Sequence, residues 1–300
     1  MQLATKTLAA IDSALEADGG ASYRHNLLLA LQEMQESDAF SGEEERYPRK
    51  HLGMSQIGKK CALHLWLQWR WAVWKKPEAR MLRLFNRGHL EEARWVALLR
   101  SAGLTVMVKS EEGKQFRAHG YKGHFGGSMD GIAYGSPDIP NEWFLLEFKT
   151  ANTKKFNDLC KRGVQEVYWE YYTQLQQYMA KKGLRFALFC SVCKEDDRLH
   201  IEIVQAEEHT PKHTDERAML IVDASEPPPR IATTAVSVDC RWCDEREYCH
   251  GGLRALPTCR TCAHVVVGDE GQWLCQGKYL LTPEQQFAGC AHRIPMAGVK

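Results

Sequence analysis

The 300-residue chain has almost no net charge: 39 lysines and arginines face 38 acids, a formal +1 at pH 7. A strongly cationic coat is excluded, so any contact with a polyanion has to come from local basic patches. Long apolar runs are also missing. No stretch reaches the roughly 18 apolar residues that suggest a membrane span, and the opening MQLATKTLAAIDSALEADGG lacks a secretory pattern. There is no internal repeat. The expectation is a soluble, cytoplasmic protein with no membrane partner. At 44% hydrophobic and 26% charged residues the chain is too apolar for disorder. A compact fold of this length removes roughly three quarters of its unfolded surface from water, enough for one large domain or about two.

Cysteine is abundant and unevenly spread. Seven of the 11, namely Cys240, Cys243, Cys249, Cys259, Cys262, Cys275 and Cys290, fall after residue 239. Without a secretion signal, such crowding reads as metal ligands before it reads as disulfides.

Residues 1–45 carry mixed helical patterning, broken at Gly19–Gly20, with an acidic stretch at Glu43–Glu45. Ser55 can cap a helix running through CALHLWLQWRWAVWKK, and a second helical pattern covers about 80–101 and ends at Gly103. Strand-like runs follow: LTVMVK, GSMDGIAYG and EWFLLEFKT. Then come a helix at about 164–182 and two more strands, LRFALFCSV and LHIEIVQ, joined by the turn KEDDR. Pro227–Pro229 marks a stiff linker before the cysteine-rich tail. This order implies an α/β fold, a mixed central sheet flanked by helices, with a small metal-binding tail.

In EWFLLEFKT, strand alternation puts Trp143, Leu145, Glu147 and Lys149 on one side and Phe144, Leu146 and Phe148 on the other. The loop at 135–141 can close a hairpin with the preceding strand. If its centre is near residue 138, Asp130 falls opposite residue 146, give or take a bulge. Asp130, Glu147 and Lys149 are then expected to meet. Two carboxylates held together repel unless a cation or proton intervenes, and hard oxygen ligands suit magnesium or manganese. Taken alone, an E-x-K strand most often makes a surface salt bridge.

G-x-x-D (Gly127 to Asp130) followed by E-F-K resembles the PD-(D/E)XK nuclease superfamily, and three further segments resemble its RecB-like and phage-exonuclease branch. NRGHLEEARWVALLRSAG resembles the first-motif helix, with Gly88 four residues before Glu92. His89, one turn before Glu92, resembles the metal-binding histidine of RecB-like nucleases. A one-residue slip would exchange Glu92 for Glu91. YYTQLQQYM resembles the Q-x-x-x-Y motif as Gln174 and Tyr178, with Tyr171 on the same stripe. HLGMSQIGKKCALHLW resembles the opening segment of phage-type members. The resemblance covers about 48–250. It implies a restriction-endonuclease-like core with Glu92, Asp130, Glu147 and Lys149 catalytic. Magnesium or manganese would be held by His89, Glu92, Asp130 and Glu147, and Gln174 and Tyr178 would face DNA.

Cys240-x2-Cys243-x5-Cys249 offers three soft ligands. Spacing alone leaves zinc and iron–sulfur open, because both accept four thiolates. The resemblance extends to the iron–sulfur branch of RecB-like nucleases, including the AddB and CRISPR-associated types. It implies that Cys61 completes a [4Fe–4S] site with those three. Cys259, Cys262, Cys275 and Cys290 form a second set suited to zinc, with His264 and His292 as substitutes. Cys190 and Cys193 face opposite ways on a strand and read as core, and Cys160 has no partner in view. Trp66, Trp69, Trp71 and Trp74 crowd one segment beside lysines. Base stacking would suit them, but the pairs lie on different faces and core packing is expected. His119 and His124 read as structural. Lys154, Lys155, Lys161 and Arg162 suit either phosphate contacts or a solvated face.

The expectation is a metal-dependent DNA exonuclease acting on DNA ends, in phage or bacterial recombination or processing. A single-strand annealing protein is a candidate partner, and the place of action is the host cytoplasm if the chain is phage-encoded. The expected segments are helical residues 1–50, the nuclease core 51–250 and the tail 251–300. A structure- or sequence-selective endonuclease is the alternative enzyme. A catalytically silent DNA-binding recombination subunit is the alternative from another class.

Overall fold

The computed structural model describes residues 1–36 and 47–299, so the acidic stretch Glu43–Glu45 lies outside the described residues. The chain divides into two compact units that interleave along the sequence. One gathers Met1–Gly42, Pro77–Ala118 and Ser128–Pro211; the other gathers Glu43–Lys76, His119–Gly127 and Lys212–Lys300.

In chain order the helices are α1 (Thr5–Ala17), α2 (Ala21–Gln35), α3 (Ala62–Trp69), α4 (Ala79–Ser101), α5 (Thr153–Arg162), α6 (Val164–Val167), α7 (Trp169–Lys182), α8 (His209–Asp223), α9 (Arg246–His250) and α10 (Pro283–Ala288). The strands are β1 (Gln2–Leu3), β2 (Leu52–Gly53), β3 (Thr105–Met107), β4 (Arg117–Gly120), β5 (Phe125–Ser128), β6 (Gly131–Tyr134), β7 (Phe144–Ala151), β8 (Phe186–Cys193), β9 (Leu199–Gln205), β10 (Val265–Val267), β11 (Trp273–Cys275) and β12 (Tyr279–Leu280). No helix among the described residues is long and apolar enough to cross a membrane.

The first unit is a mixed α/β layer structure. Its six-stranded sheet runs β1-β9-β8-β7-β6-β3, with β7 and β8 parallel and the other neighbours antiparallel. Alternation in β7 sends Phe144, Leu146 and Phe148 into a core shared with Trp95 and Leu99 of α4, Ile11 of α1 and Ala30 of α2. The opposite face of β7 carries Glu147 and Lys149, above which α5 and α7 pack. Cys190 joins the large core while Cys193 joins a small cluster with Ala151, Phe156 and the half-buried Cys160. The C-x-x-C at 190–193 therefore does face opposite ways. The helical pattern at 164–182 breaks at Tyr168, whose backbone leaves the helical region (φ −136°, ψ 66°) between α6 and α7. Four helices escaped the sequence reading, the short α9 and α10 of the tail and the longer α5 and α8. α5 shows few apolar positions, burying only Phe156 and Leu159, and α8 opens on the polar run HTPKHTDER.

The second unit has an aromatic core. Trp66, Trp69 and Trp71 are at most 1% exposed, so the tryptophan-rich segment is packing and not a stacking platform for bases. The expected helix over this segment is shorter than its pattern: Cys61 caps it, not Ser55, and it ends at Trp69. Trp71 turns out with φ 53° because its buried indole donates to the Arg49 carbonyl at 2.9 Å. His124 is fully buried, with Nε2 3.0 Å from the Gly268 carbonyl and 3.1 Å from that of Gln272. Burial drops its pKa to about 4, and its role is structural.

Candidate active site and cysteine centre

Register brings the acids of the first unit together. In the β6–β7 hairpin Gly131 pairs with Leu146 and Ile132 with Leu145, one residue away from the expected register, so Asp130 falls beside Glu147. A Cβ on Gly131 would meet the Met107 carbonyl at 2.8 Å; glycine lets β3 close on β6 next to the acid. Asp130 Oδ2 accepts from the Phe148 amide at 2.7 Å. Lys149 Nζ donates to Glu147 Oε1 and to the Phe148 carbonyl at 3.2 Å, and lies 5.1 Å above the ring of Tyr171.

Glu147 is fully buried. Burial first, and then Asp130, push its carboxyl up to about 7 despite the opposing pull of Lys149. Burial and Asp130 likewise hold Glu92, which projects from α4, well above the usual carboxylate range, with Glu147 adding to the effect. Burial works to lower the Lys149 ammonium, but Glu147 and Asp130 outweigh it and raise it. Three carboxylates thus crowd one another around this lysine. Such a set of hard oxygens fits a divalent cation, which would relieve the repulsion.

Glu91 is turned to Arg94, at 2.9 and 3.1 Å; of the two neighbours it is Glu92 that feels Asp130 and Glu147. His89 stands three residues before Glu92 on the same helix, with an exposed side chain. Gln174 and Tyr178 do not face outward as expected of DNA contacts, being 4% and 1% exposed. Gln174 Nε2 donates to both oxygens of Glu147 at 2.9 and 3.0 Å and lies 3.5 Å from the Tyr178 hydroxyl. This glutamine orients the acid. Lys154, Lys155, Lys161 and Arg162 of α5 are exposed.

Ser191 was overlooked in the sequence. It pairs with Lys149 across β7–β8, and its buried hydroxyl has no hydrogen-bond partner among the described residues. The available signal was a lone hydroxyl in the apolar run FALFCSVC.

No family model matches the chain, and no curated protein matches it at the significance required. Among solved structures, it is similar to an alkaline exonuclease (LHK-Exo) from Laribacter hongkongensis. The identity is 19%, over 58% of this chain and 87% of that one, with a TM-score of 0.42. The structure of LHK-Exo in complex with dAMP gives 18%, 57%, 86% and 0.42 for the same quantities. For SSO0001 they are 11%, 75%, 96% and 0.35.

The second unit gathers cysteines. Cys61, Cys240, Cys243 and Cys249 line one pocket together with Arg230 and Arg246. Cys61 Sγ accepts from the His64 amide at 3.4 Å, and the Cys243 amide donates to the Cys240 carbonyl at 3.0 Å. Burial pushes the Cys243 thiol up to about 12, helped by Glu245 and Cys61. Burial also raises Cys249, with Cys61 and Cys240 adding to it. Thiols this crowded ionise only against a positive partner, and four soft donors fit an iron–sulfur cluster or a thiophilic metal.

His64 and Glu245 were also missed. Together with Cys243 they place three donor atoms within 4.8 Å of one another, and C-x-x-H at 61–64 was the available cue. His64 Nδ1 bonds Glu245 directly, and Gln68 Nε2 holds the other carboxylate oxygen at 3.0 Å. With those two engaged, the four sulfurs remain the softer donor set.

Proposed function

We propose that this chain is a divalent-metal-dependent deoxyribonuclease that hydrolyses phosphodiester bonds at DNA ends. The observation that supports it best is the crowding of Glu92, Asp130 and Glu147 around Lys149, with the Glu92 and Glu147 carboxyls raised by burial and then by Asp130. Magnesium or manganese held by these acids, with His89 as a further ligand, would activate the attacking water and stabilise charge on the phosphate. The Phe148 amide fixes Asp130, and Gln174 fixes both oxygens of Glu147. Lys149, half-buried beside Glu147, presents a cation where negative charge grows on the phosphate. With a net charge of +1, the chain grips its substrate through few local contacts, the exposed lysines of α5 among them.

On this reading Cys61, Cys240, Cys243 and Cys249 carry a [4Fe–4S] cluster, a clip between residues far apart in sequence. Phage or bacterial DNA recombination or processing is the setting that the family resemblance implies. The test compares end-labelled linear duplex with closed circular DNA in magnesium or manganese. Linear DNA should be degraded progressively and circles spared. Equal cutting of both would replace the exonuclease reading with an endonuclease one, and no cutting of either would leave a binding subunit.

A further inference from the structure

The other four cysteines of the second unit make a separate arrangement. Cys259 and Cys262 bracket a short 3-10 turn closed by the Cys262 amide on the Cys259 carbonyl at 3.0 Å. The segment after Cys290 runs back along this turn: Ala263 donates to the Ile294 carbonyl at 2.7 Å and Met296 to that of Thr261 at 3.0 Å. Cys275 ends β11 directly opposite Val265, three residues beyond Cys262. The Cys259 thiol donates weakly to the Gln285 carbonyl at 3.3 Å, five residues before Cys290. The turn, the end of β11 and the segment after Cys290 thus bring the four cysteines into one neighbourhood.

An independent observation concerns charge. Arg260, inside the Cys259-x2-Cys262 turn, is 1% exposed, and Arg70 is 3% exposed. Neither meets a carboxylate among the described residues. Arg260 donates to Gln286 Oε1 at 2.9 Å and to the carbonyls of Trp69 and Lys50 at 2.8 and 3.1 Å. Its guanidinium lies 3.6 Å from the ring centre of Trp71 and 4.5 Å from that of Trp273. Arg70 in turn donates to the Arg260 carbonyl at 3.2 Å. Arg293, beside the same turn, donates to the Thr258 carbonyl at 3.2 Å and to Thr261 Oγ1 at 2.9 Å. Buried charges are ordinarily paired or serve a metal. Arg260 and Arg70 are buried in the same unit as these cysteines, with no acid among the described residues to balance them.

We propose that Cys259, Cys262, Cys275 and Cys290 bind a structural zinc ion whose four thiolates, net charge −2 around the dication, supply negative charge to the turn that carries Arg260 in its sequence and is contacted by Arg293. Four-thiolate zinc is tetrahedral, closed to substrate, and contributes directly to folding. The role is therefore architectural: the site locks the turn that carries Arg260 into the tryptophan core. It stands apart from the nuclease reading and from the other cysteine centre.

The test is metal analysis of the purified full chain. One tightly held zinc should survive dialysis in a Cys240→Ser/Cys249→Ser variant, whose other centre is disabled. A further Cys275→Ser or Cys290→Ser change should reduce it below about a tenth of an equivalent, as expected when a closed four-ligand site loses a ligand. In case those variants fail to fold, cobalt is substituted into the two-serine protein, where it should give the ligand-field and sulfur charge-transfer bands of a tetrahedral thiolate site. Arg293→Gln should hasten zinc loss to a chelator, because the dianion loses a cation. A two-serine protein without zinc, full zinc after Cys275→Ser, a cobalt spectrum without thiolate bands, or an unchanged rate in Arg293→Gln would each overturn the proposal.

Discussion

Replacing Glu147 by glutamine should destroy activity and stabilise the protein. Glu147 is fully buried, and its carboxyl is raised from 4.5 to about 7, by burial and then by Asp130. The unfolded chain releases this proton near pH 4.5, while the folded chain keeps it until about pH 7. Between those values the folded state binds more protons, so stability falls as pH rises. The contribution is complete below pH 4.5 and lost above pH 7. At 1.36 kcal/mol per unit, the ionised carboxylate costs about 3 kcal/mol at pH 8. Glutamine cannot ionise and avoids that cost. It still accepts from Lys149, and Gln174, whose Oε1 has no hydrogen-bond partner among the described residues, can turn its amide to accept from the new NH2. Thermal unfolding without added divalent ions should therefore show Glu147→Gln melting roughly 6–12 °C above the parent at pH 8. At pH 4.5 the two should melt nearly together. Magnesium should stabilise the parent and leave the variant almost unmoved. If the variant is the less stable protein at pH 8, or if the parent's stability is flat between pH 5 and 8, the crowding of carboxylates is wrongly described.

Other outcomes follow from the same geometry. Asp130→Ala should lose at least about two orders of magnitude in rate, typical of removing an electrostatic contributor, with the far-ultraviolet circular dichroism unchanged. Gln174→Ala removes two hydrogen bonds that favour the ionised form of Glu147; the acidic limb of the pH–rate profile should move to higher pH, measured on a fixed DNA substrate. Anaerobically purified protein should be brown with about four irons per chain. Cys61→Ala should lose colour and stability together, and Cys259→Ala should keep the colour, as read by absorbance and iron analysis.

Much of the site was legible because its chemistry follows strand alternation. Glu147 and Lys149 share a face of β7 by period alone, and the apolar residues between them select the face that packs on α4. The hairpin register was less accessible: one residue in the loop changed Asp130's partner, and loop conformation depends on contacts such as the Ser136–Ile139 bridge. Helical spacing put Gln174 and Tyr178 on one stripe but said nothing about whether it met solvent or sheet. Burial against β7 turned a presumed DNA contact into a support for Glu147. Cysteine spacing grouped Cys240, Cys243 and Cys249, while Cys61 was joined to them only by the family resemblance; His64 and Glu245 sit far apart in sequence and meet only through the fold. Tertiary demands also cut α3 short, since burying Trp71 required leaving the helix.

Cutting and binding by Lys149→Ala, measured side by side on an end-labelled linear duplex in manganese, test the central claim most directly. Lys149 touches Glu147 and lies over Tyr171, so its loss should remove transition-state stabilisation and leave the acids and the DNA grip in place. The rate should fall at least about a hundredfold, with the affinity for DNA changed far less. A variant that cuts at the parental rate would contradict the assignment of this strand as the catalytic one.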